Sequence, residues 1–421
     1  MSTLTNEPHV LPRIPSRGRS EDREGILGPA NTAGSASTGA LASLLSETAR
    51  RGASDLLLIS GAPPVVHGVV GWQPLCDQQL SADDVREAVE AVLSESQRAA
   101  LYERRDLDFA LVLPDAGRYR VNAHYQRGTL AVAIRAIPVA VPRFEELGLP
   151  PQVLRLADFT NGLVLVTGGT GQGKTTTLAA IVDHMNRTRS AHIVTIEDPI
   201  EFSFEHGTCF IEQRQIGEDS PTFSSALRHI LRQRPDVILI GEMRDLETIA
   251  TALTAAETGH LVLASLHTSS AAQTLARVID AFPPTQQPQV RTQMAASLRA
   301  IVCQMLVRDH ANETLTPATE ILMATSAVSR AIRDNETHLI YSMMETGKRY
   351  GMHTLEQSLA DLVRSGRVAW EEAHAAAANV LRLERLVGRP SPESPPMTTT
   401  VVESCDLAWC ADAVDAAEDR A

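Results

Sequence analysis

From Leu163 onward, short apolar runs recur along the chain, each followed by a stretch in which apolar positions fall three and four apart. The runs LVLVT (163–167), HIVTI (192–196), DVILI (236–240) and LVLASL (261–266) have the near-continuous hydrophobicity of strands buried on both faces of a parallel sheet. Leu178, Ile181, Val182 and Met185 predict a helix after the first run. Phe223, Leu227 and Ile230 predict another over 222–234, and Leu246, Ile249 and Leu253 a third over 246–258. A longer apolar stripe, Val290, Met294, Leu298, Ile301 and Met305, predicts a further helix. Strands alternating with helices in this way imply an α/β core, a parallel sheet flanked by helices, over 150–315. Residues 316–388 read as mostly helical.

A different pattern precedes this core. Leu41, Leu44 and Leu45 predict a helix, and DLLLIS (55–60) and PVVHGVV (64–70) predict short strands turned by Gly61–Pro64. Residues 81–101 read as one helix, opened by Ser81 and an acidic first turn. DLDFALVL, GRYRVNAHYQ and TLAVAIRAI alternate apolar with polar positions and are separated by turns, as in an antiparallel sheet. The expected unit is a small α+β domain over 41–138, joined to the core by a linker at 139–149. Residues 1–40 and 389–421 are polar and rich in residues that favour turns, the second segment ending in an acidic tail. Neither is expected to fold unaided.

Composition adds limits. With 421 residues the chain has room for two or three domains. No run of eighteen or more apolar residues occurs, and the first twenty residues lack the apolar stretch of a signal peptide, so a cytoplasmic location is expected. Five scattered cysteines form no C-x-x-C pair and suggest neither a disulfide framework nor a zinc module. A formal charge of −13 argues against stable nucleic-acid binding.

The most specific chemistry lies between the first core strand and its helix. Gly168, Gly169, Thr170, Gly171, Gln172, Gly173, Lys174 and Thr175 fit G-x-x-x-x-G-K-[ST], and Thr176 follows. Glycines allow the turn that aims successive N–H groups at a phosphate chain, and the helix N-terminus adds unpaired N–H groups and its dipole. Lys174 can reach the outer phosphates and the Thr175 hydroxyl can hold Mg²⁺, so ATP and Mg²⁺ are the expected ligands. At the carboxyl ends of the other core strands stand Glu197-Asp198-Pro199-Ile200-Glu201, Gly241-Glu242 and His267-Thr268. Glu242 is the choice for orienting Mg²⁺ or the attacking water. Glu201 reads equally as a functional acid or as a hinge or cap, and a lone histidine such as His267 after a strand is more often structural.

GGTGQGKTTTLAA, TIEDPIEF, RPDVILIGEMRDLETI and ALTAAETGHLVLASLHTSSAAQTLARVIDAFP together resemble the PilT family of type IV pilus retraction ATPases, within the larger group of secretion ATPases. The resemblance covers about 41–385. It implies a PAS-like N-terminal domain, a RecA-like motor domain followed by helices, and a homohexamer at the inner face of the cytoplasmic membrane that works on a polytopic platform protein. It also implies roles: Lys174 and Thr175 in phosphate and Mg²⁺ binding, Glu201 as the acidic-box glutamate, and Glu242 as the catalytic glutamate. His260 and His267 match the histidine box, and Arg118, Arg120 and Arg135 match arginines supplied to the nucleotide.

Two segments depart from the family pattern. AVSRAIRD (327–334) stands where AIRNLIRE is expected, with Ser329 in place of the first arginine and Arg333 kept. RQRPD (232–236) replaces a more acidic loop. The cysteine-rich zinc module typical of the assembly branch is missing from the sequence. Beside a retraction motor, the readings in contention are the ATPase of a type II or conjugative secretion machine, a RecA-like DNA translocase, and a scaffold that binds nucleotide only to assemble. Acidic composition weighs against the translocase, and intact Lys174, Thr175 and Glu242 weigh against the scaffold.

Overall fold

The computed structural model describes residues 37–68, 71–113, 117–137, 141–310 and 314–388. Nearly all of the expected N-terminal arm and the whole acidic tail lie outside these residues. The chain divides into two units between Ile137 and Pro138.

The first unit carries six antiparallel strands: β1 (Asp55–Ile59), β2 (Val65–Gly68), β3 (Gly71–Pro74), β4 (Asp106–Leu113), β5 (Gly117–Gln126) and β6 (Thr129–Ile137). Their order is β3-β2-β1-β6-β5-β4. Helices Ser37–Arg50, Ala82–Glu90 and Glu95–Arg104 supply Leu41, Leu45, Val85, Val89 and Leu101 to a core shared with Leu56, Leu58, Val121, Val132 and Ile134 of the sheet. The single helix expected over 81–101 is two. Ser94 accepts the Gln97 N–H, and the Gln97 side chain accepts the Ser94 N–H, so a second capping box restarts the helix. Strand β3, with Trp72 exposed, was not anticipated.

Arg118, Arg120 and Arg135 lie on the face of this sheet away from the core, since Tyr119, Val121 and Ile134 between them are buried. Arg120 and Arg135 are direct cross-strand partners. Like charges so placed repel. Asp55 offsets Arg135 at 2.7 Å, and Asp108 stands 3.9 Å from Arg120.

The second unit is built on seven strands: β7 (Gly162–Thr167), β8 (His192–Glu197), β9 (Phe210–Gln215), β10 (Val237–Ile240), β11 (Leu261–Leu266), β12 (Leu298–Asp309) and β13 (Thr314–Met323). The order β13-β12-β7-β11-β10-β8-β9 is parallel throughout except for β13, which is antiparallel to β12. Both faces are covered, one by a core including Leu163, Leu165, Ile249 and Leu275, the other by one including Val164, Val166, Ile181 and Met185. This is the expected α/β architecture.

Three expectations change here. The stripe from Val290 to Met305 is not one helix: the helix Gln287–Ser297 ends and β12 begins at Leu298. Positions 298, 301 and 305 satisfy a helical spacing, but Ala300, Val302 and Cys303 are also buried, which a sheet covered on both faces allows. The core boundary expected at 315 therefore falls inside β13. The expected linker is part of the second unit, where Phe144 and Leu149 are buried in its core. Beyond β13 the helical reading fits. Helices Ser326–Arg333, Ile340–Thr346, Leu355–Arg364, Trp370–Ala376 and Val380–Val387 follow, and Leu355, Leu359 and Leu383 pack with Val307 and Ala318 of the β12–β13 hairpin.

Candidate active site

Every residue of β7 is buried, and the strand delivers the chain to the loop 168–173. Gly171 and Gly173 hold φ of +77° and +78°, a region that side chains disfavour. Gly173 caps the helix Lys174–Thr188 without any side-chain hydrogen bond, so the first N–H groups of that helix have no capping side chain and are available to an anion. Lys174 is only 8% exposed, and its ammonium donates to the carbonyls of Gly168 at 2.9 Å and Gly169 at 2.8 Å. Burial lowers its pKa, while the carboxylates of Glu242 and Glu201 oppose that shift. Both acids thus act electrostatically on the loop lysine. Thr175 and Thr176 are half-buried at the start of the helix.

Because β8, β10 and β11 run parallel to β7, their carboxyl ends gather on the same side. Glu242, just past β10, accepts from Arg244 at 2.8 Å on Oε2 and faces Nε2 of His267, just past β11, at 3.2 Å on Oε1. Burial alone would raise the Glu242 pKa, but Arg244 and His267 outweigh it and hold the carboxyl below its ordinary value. Glu242 is therefore an ionised acceptor at neutral pH. Glu201 is exposed in the loop after β8, and its N–H donates to the buried carboxylate of Glu197.

Glu197 is the last residue of β8. It is 5% exposed, accepts from the Thr195 hydroxyl at 2.6 Å and the Gln213 amide at 3.1 Å, and has its pKa raised by burial. Together with Thr175, Phe202 and Gly241 it lines a cavity of about 20 Å³, room for one water. Its signal in the sequence was an acid closing an otherwise buried strand.

His260 does not join this cluster within the chain. It precedes β11, its carbonyl accepts the Gly162 N–H, and its ring faces the Ala255 carbonyl at 3.1 Å. It is thus separated from His267 by the length of the strand, roughly 20 Å.

Among the described residues, no group of three or more His, Cys, Asp or Glu is placed to hold a metal ion. Mg²⁺ suits such a site, since it takes one or two protein oxygens and completes its shell with waters and substrate phosphates. The Thr175 hydroxyl and a carboxylate such as Glu242 fit that need.

Comparison with known proteins identifies the family. A family model described as type II/IV secretion system protein matches residues 130–384. The type IV pilus retraction ATPase PilT of Pseudomonas aeruginosa is 42% identical over 334 residues, 79% of this chain and 97% of that protein. The chain belongs to the PilT family of secretion ATPases. A second relative, the twitching motility protein of Neisseria gonorrhoeae, is 44% identical over 301 residues, 72% of this chain and 80% of that protein. The crystal structure of the pilus retraction motor PilT with bound ADP superposes with a TM-score of 0.76 at 41% identity, covering 82% of this chain and 98% of that one. PilT-family membership accounts for the mixed α/β fold and for an ATPase activity.

The segment AVSRAIRD lies on the helix Ser326–Arg333, with Thr325 as its N-cap and Asp334 as its C-cap. Arg330 is exposed and pairs with Asp334 at 3.2 Å. Arg333, also exposed, has no ion pair among the described residues. No helix among those residues is long and apolar enough to cross a membrane.

Proposed function

We propose that this chain is the ATP-hydrolysing motor of type IV pilus retraction, working as a homohexamer at the inner face of the cytoplasmic membrane against a polytopic platform protein. The observation that carries the proposal is Glu242, bonded to Arg244 and facing His267, at the carboxyl ends of strands parallel to the one that feeds the Lys174 loop. Phosphoryl transfer spreads charge over the phosphate oxygens, so the protein's task is positioning and neutralisation. The loop N–H groups and Lys174 hold the phosphates, and Glu242 orients and deprotonates the attacking water. His267 and Arg244 fix the Glu242 carboxylate, and Glu201 is the second acid whose charge opposes the fall in the Lys174 pKa. The Thr175 hydroxyl and a carboxylate such as Glu242 would hold Mg²⁺, which would supply positive charge to the phosphates. Arg118, Arg120 and Arg135 are assigned to nucleotide binding on the family resemblance. Their concentration on one exposed sheet face supports that assignment.

The test is complementation. A strain lacking the gene should lose twitching, regain it with the wild-type chain, and not regain it with Lys174→Ala. Full twitching with Lys174→Ala overturns the proposal. Ser329 favours a second reading, the motor of a related type II or conjugative secretion machine, because a short neutral side chain cannot make the bidentate contacts of an arginine. Normal twitching in the deletion strain, with a defect in secretion or transfer, selects that reading.

A further inference from the structure

Two glutamines, remote in sequence, lock the phosphate loop to the neighbouring strand. Register pairs Cys303 of β12 with Thr167, the last residue of β7, so Gln304 lies beside the start of the loop. Gln304 is 6% exposed, and both ends of its amide are used. Nε2 donates to the Gln172 carbonyl at 2.8 Å, and Oε1 accepts from the Thr177 hydroxyl at 2.7 Å, on the first turn of the helix behind the loop. The orientation of the amide is forced, since a carbonyl can only accept. In return the Gln172 side chain accepts the Leu306 N–H of β12. The approach leaves no room for side chains: a Cβ on Gly168 would lie 2.3 Å from the Gln304 carbonyl oxygen, and one on Gly173 would lie 2.8 Å from Nε2.

We propose that Gln304 is a positioning residue for phosphate binding, which turns the peptide between Gln172 and Gly173 so that the Gly173 N–H faces the bound phosphate. In a trans peptide the carbonyl and the N–H point in opposite directions. Fixing the Gln172 carbonyl against β12 therefore aims the next N–H away from β12. A peptide in a glycine-rich loop is otherwise free to flip, and flipping would present a carbonyl oxygen to the phosphate. The inference rests on reading the loop as the nucleotide site.

The experiment measures ADP affinity by calorimetry from pH 6 to pH 8.5 for the wild-type full chain, Gln304→Glu and Gln304→Met. Gln304→Glu keeps the shape but, when ionised, sets a carboxylate against the Gln172 carbonyl. At pH 8.5 its affinity should be about tenfold lower than wild type, as expected when a buried acceptor loses its donor. Burial raises the pKa of the introduced carboxyl, and once protonated it is again a donor. Its affinity, taken as a ratio to wild type, should therefore recover toward one as the pH falls to 6. Gln304→Met, which can neither donate nor ionise, should be weakened by a similar factor at every pH. That variant decides the matter if Gln304→Glu fails to fold. Wild-type affinity in Gln304→Met, or a Gln304→Glu deficit that does not change with pH, overturns the proposal. Failure of the wild-type chain itself to bind ADP overturns the nucleotide reading instead.

Discussion

Glu320 on β13 gives the chain a stability that depends on pH in a predictable direction. The side chain is 5% exposed and receives the Ala271 N–H at 2.7 Å, at the head of the helix Ala271–Asp280. It also accepts the Leu355 N–H, at the head of the helix Leu355–Arg364. Burial raises its pKa from 4.5 to about 6, and Glu356 adds to the rise, while the two N–H groups and the Cys303 thiol oppose it. The native state therefore favours the protonated form. The stability this confers is fully present below the unfolded value near 4.5 and is lost as pH rises through about 6. A displacement of about 1.5 is worth about 2 kcal/mol in total, of which roughly 1 kcal/mol falls between pH 5 and pH 7.5.

The perturbation is Glu320→Gln, which keeps the volume and abolishes the titration. The assay is urea denaturation of the nucleotide-free chain at pH 5, 6 and 7.5, followed by far-ultraviolet circular dichroism. Groups away from Glu320 titrate alike in the two proteins, so the readout is the difference between them. Wild type should lose about 1 kcal/mol relative to the variant between pH 5 and 7.5. Parallel pH profiles would refute the reasoning and place the ionised carboxylate of Glu320 in a well-solvated or well-compensated site.

Three further outcomes follow from the site. Lys174→Ala should lower ADP affinity and abolish turnover, because it removes the buried ammonium of the phosphate loop; calorimetry and a phosphate-release assay check both. Glu242→Gln should still bind ATP, while kcat falls by about 10²-fold or more, as for loss of a general base; retention of most of kcat would move that role to Glu201. Arg333→Ala should abolish twitching with ATPase activity intact, whereas Arg330→Ala, whose guanidinium is exposed and paired with Asp334, should leave twitching nearly normal; normal twitching in both would show that this helix does not couple hydrolysis to motion.

What the sequence disclosed and what it hid divide along a physical line. The phosphate loop was legible because its constraints are local: a buried strand, glycines with positive φ and a helix start follow one another within a dozen residues. The acids after β8 and β10 were legible for the same reason, since an apolar run ending in a carboxylate announces a strand end in a parallel sheet. β12 was not legible. Its residues carry a helical spacing by coincidence, and only the partner strands β7 and β13 decide that the segment is extended. Misreading that strand hid Gln304, because a glutamine on a helix flank asks for no partner, whereas a glutamine inside a strand covered on both faces must have one.

The same consideration separates the roles of the acids. Glu197, Glu201 and Glu242 are all carboxylates near strand ends, and sequence alone ranks them only by position. Burial and partners distinguish them. Glu197 is enclosed, receives Thr195, Gln213 and the Glu201 N–H, and is pushed toward its neutral form, which suits a group that shapes the acidic loop. Glu242 is partly open and is held ionised by Arg244 and His267, which suits a group that must accept a proton or face Mg²⁺. One environment raises a pKa and the other lowers it, and such divergence between adjacent carboxylates is how a site assigns structural and chemical work to the same residue type. Removing that support by Arg244→Ala should therefore damage turnover more than binding, because the charge on Glu242 loses the guanidinium that stabilises it while the phosphate loop is left intact. Equal loss of ADP affinity and kcat in that variant would mean that Arg244 serves the nucleotide directly rather than the glutamate.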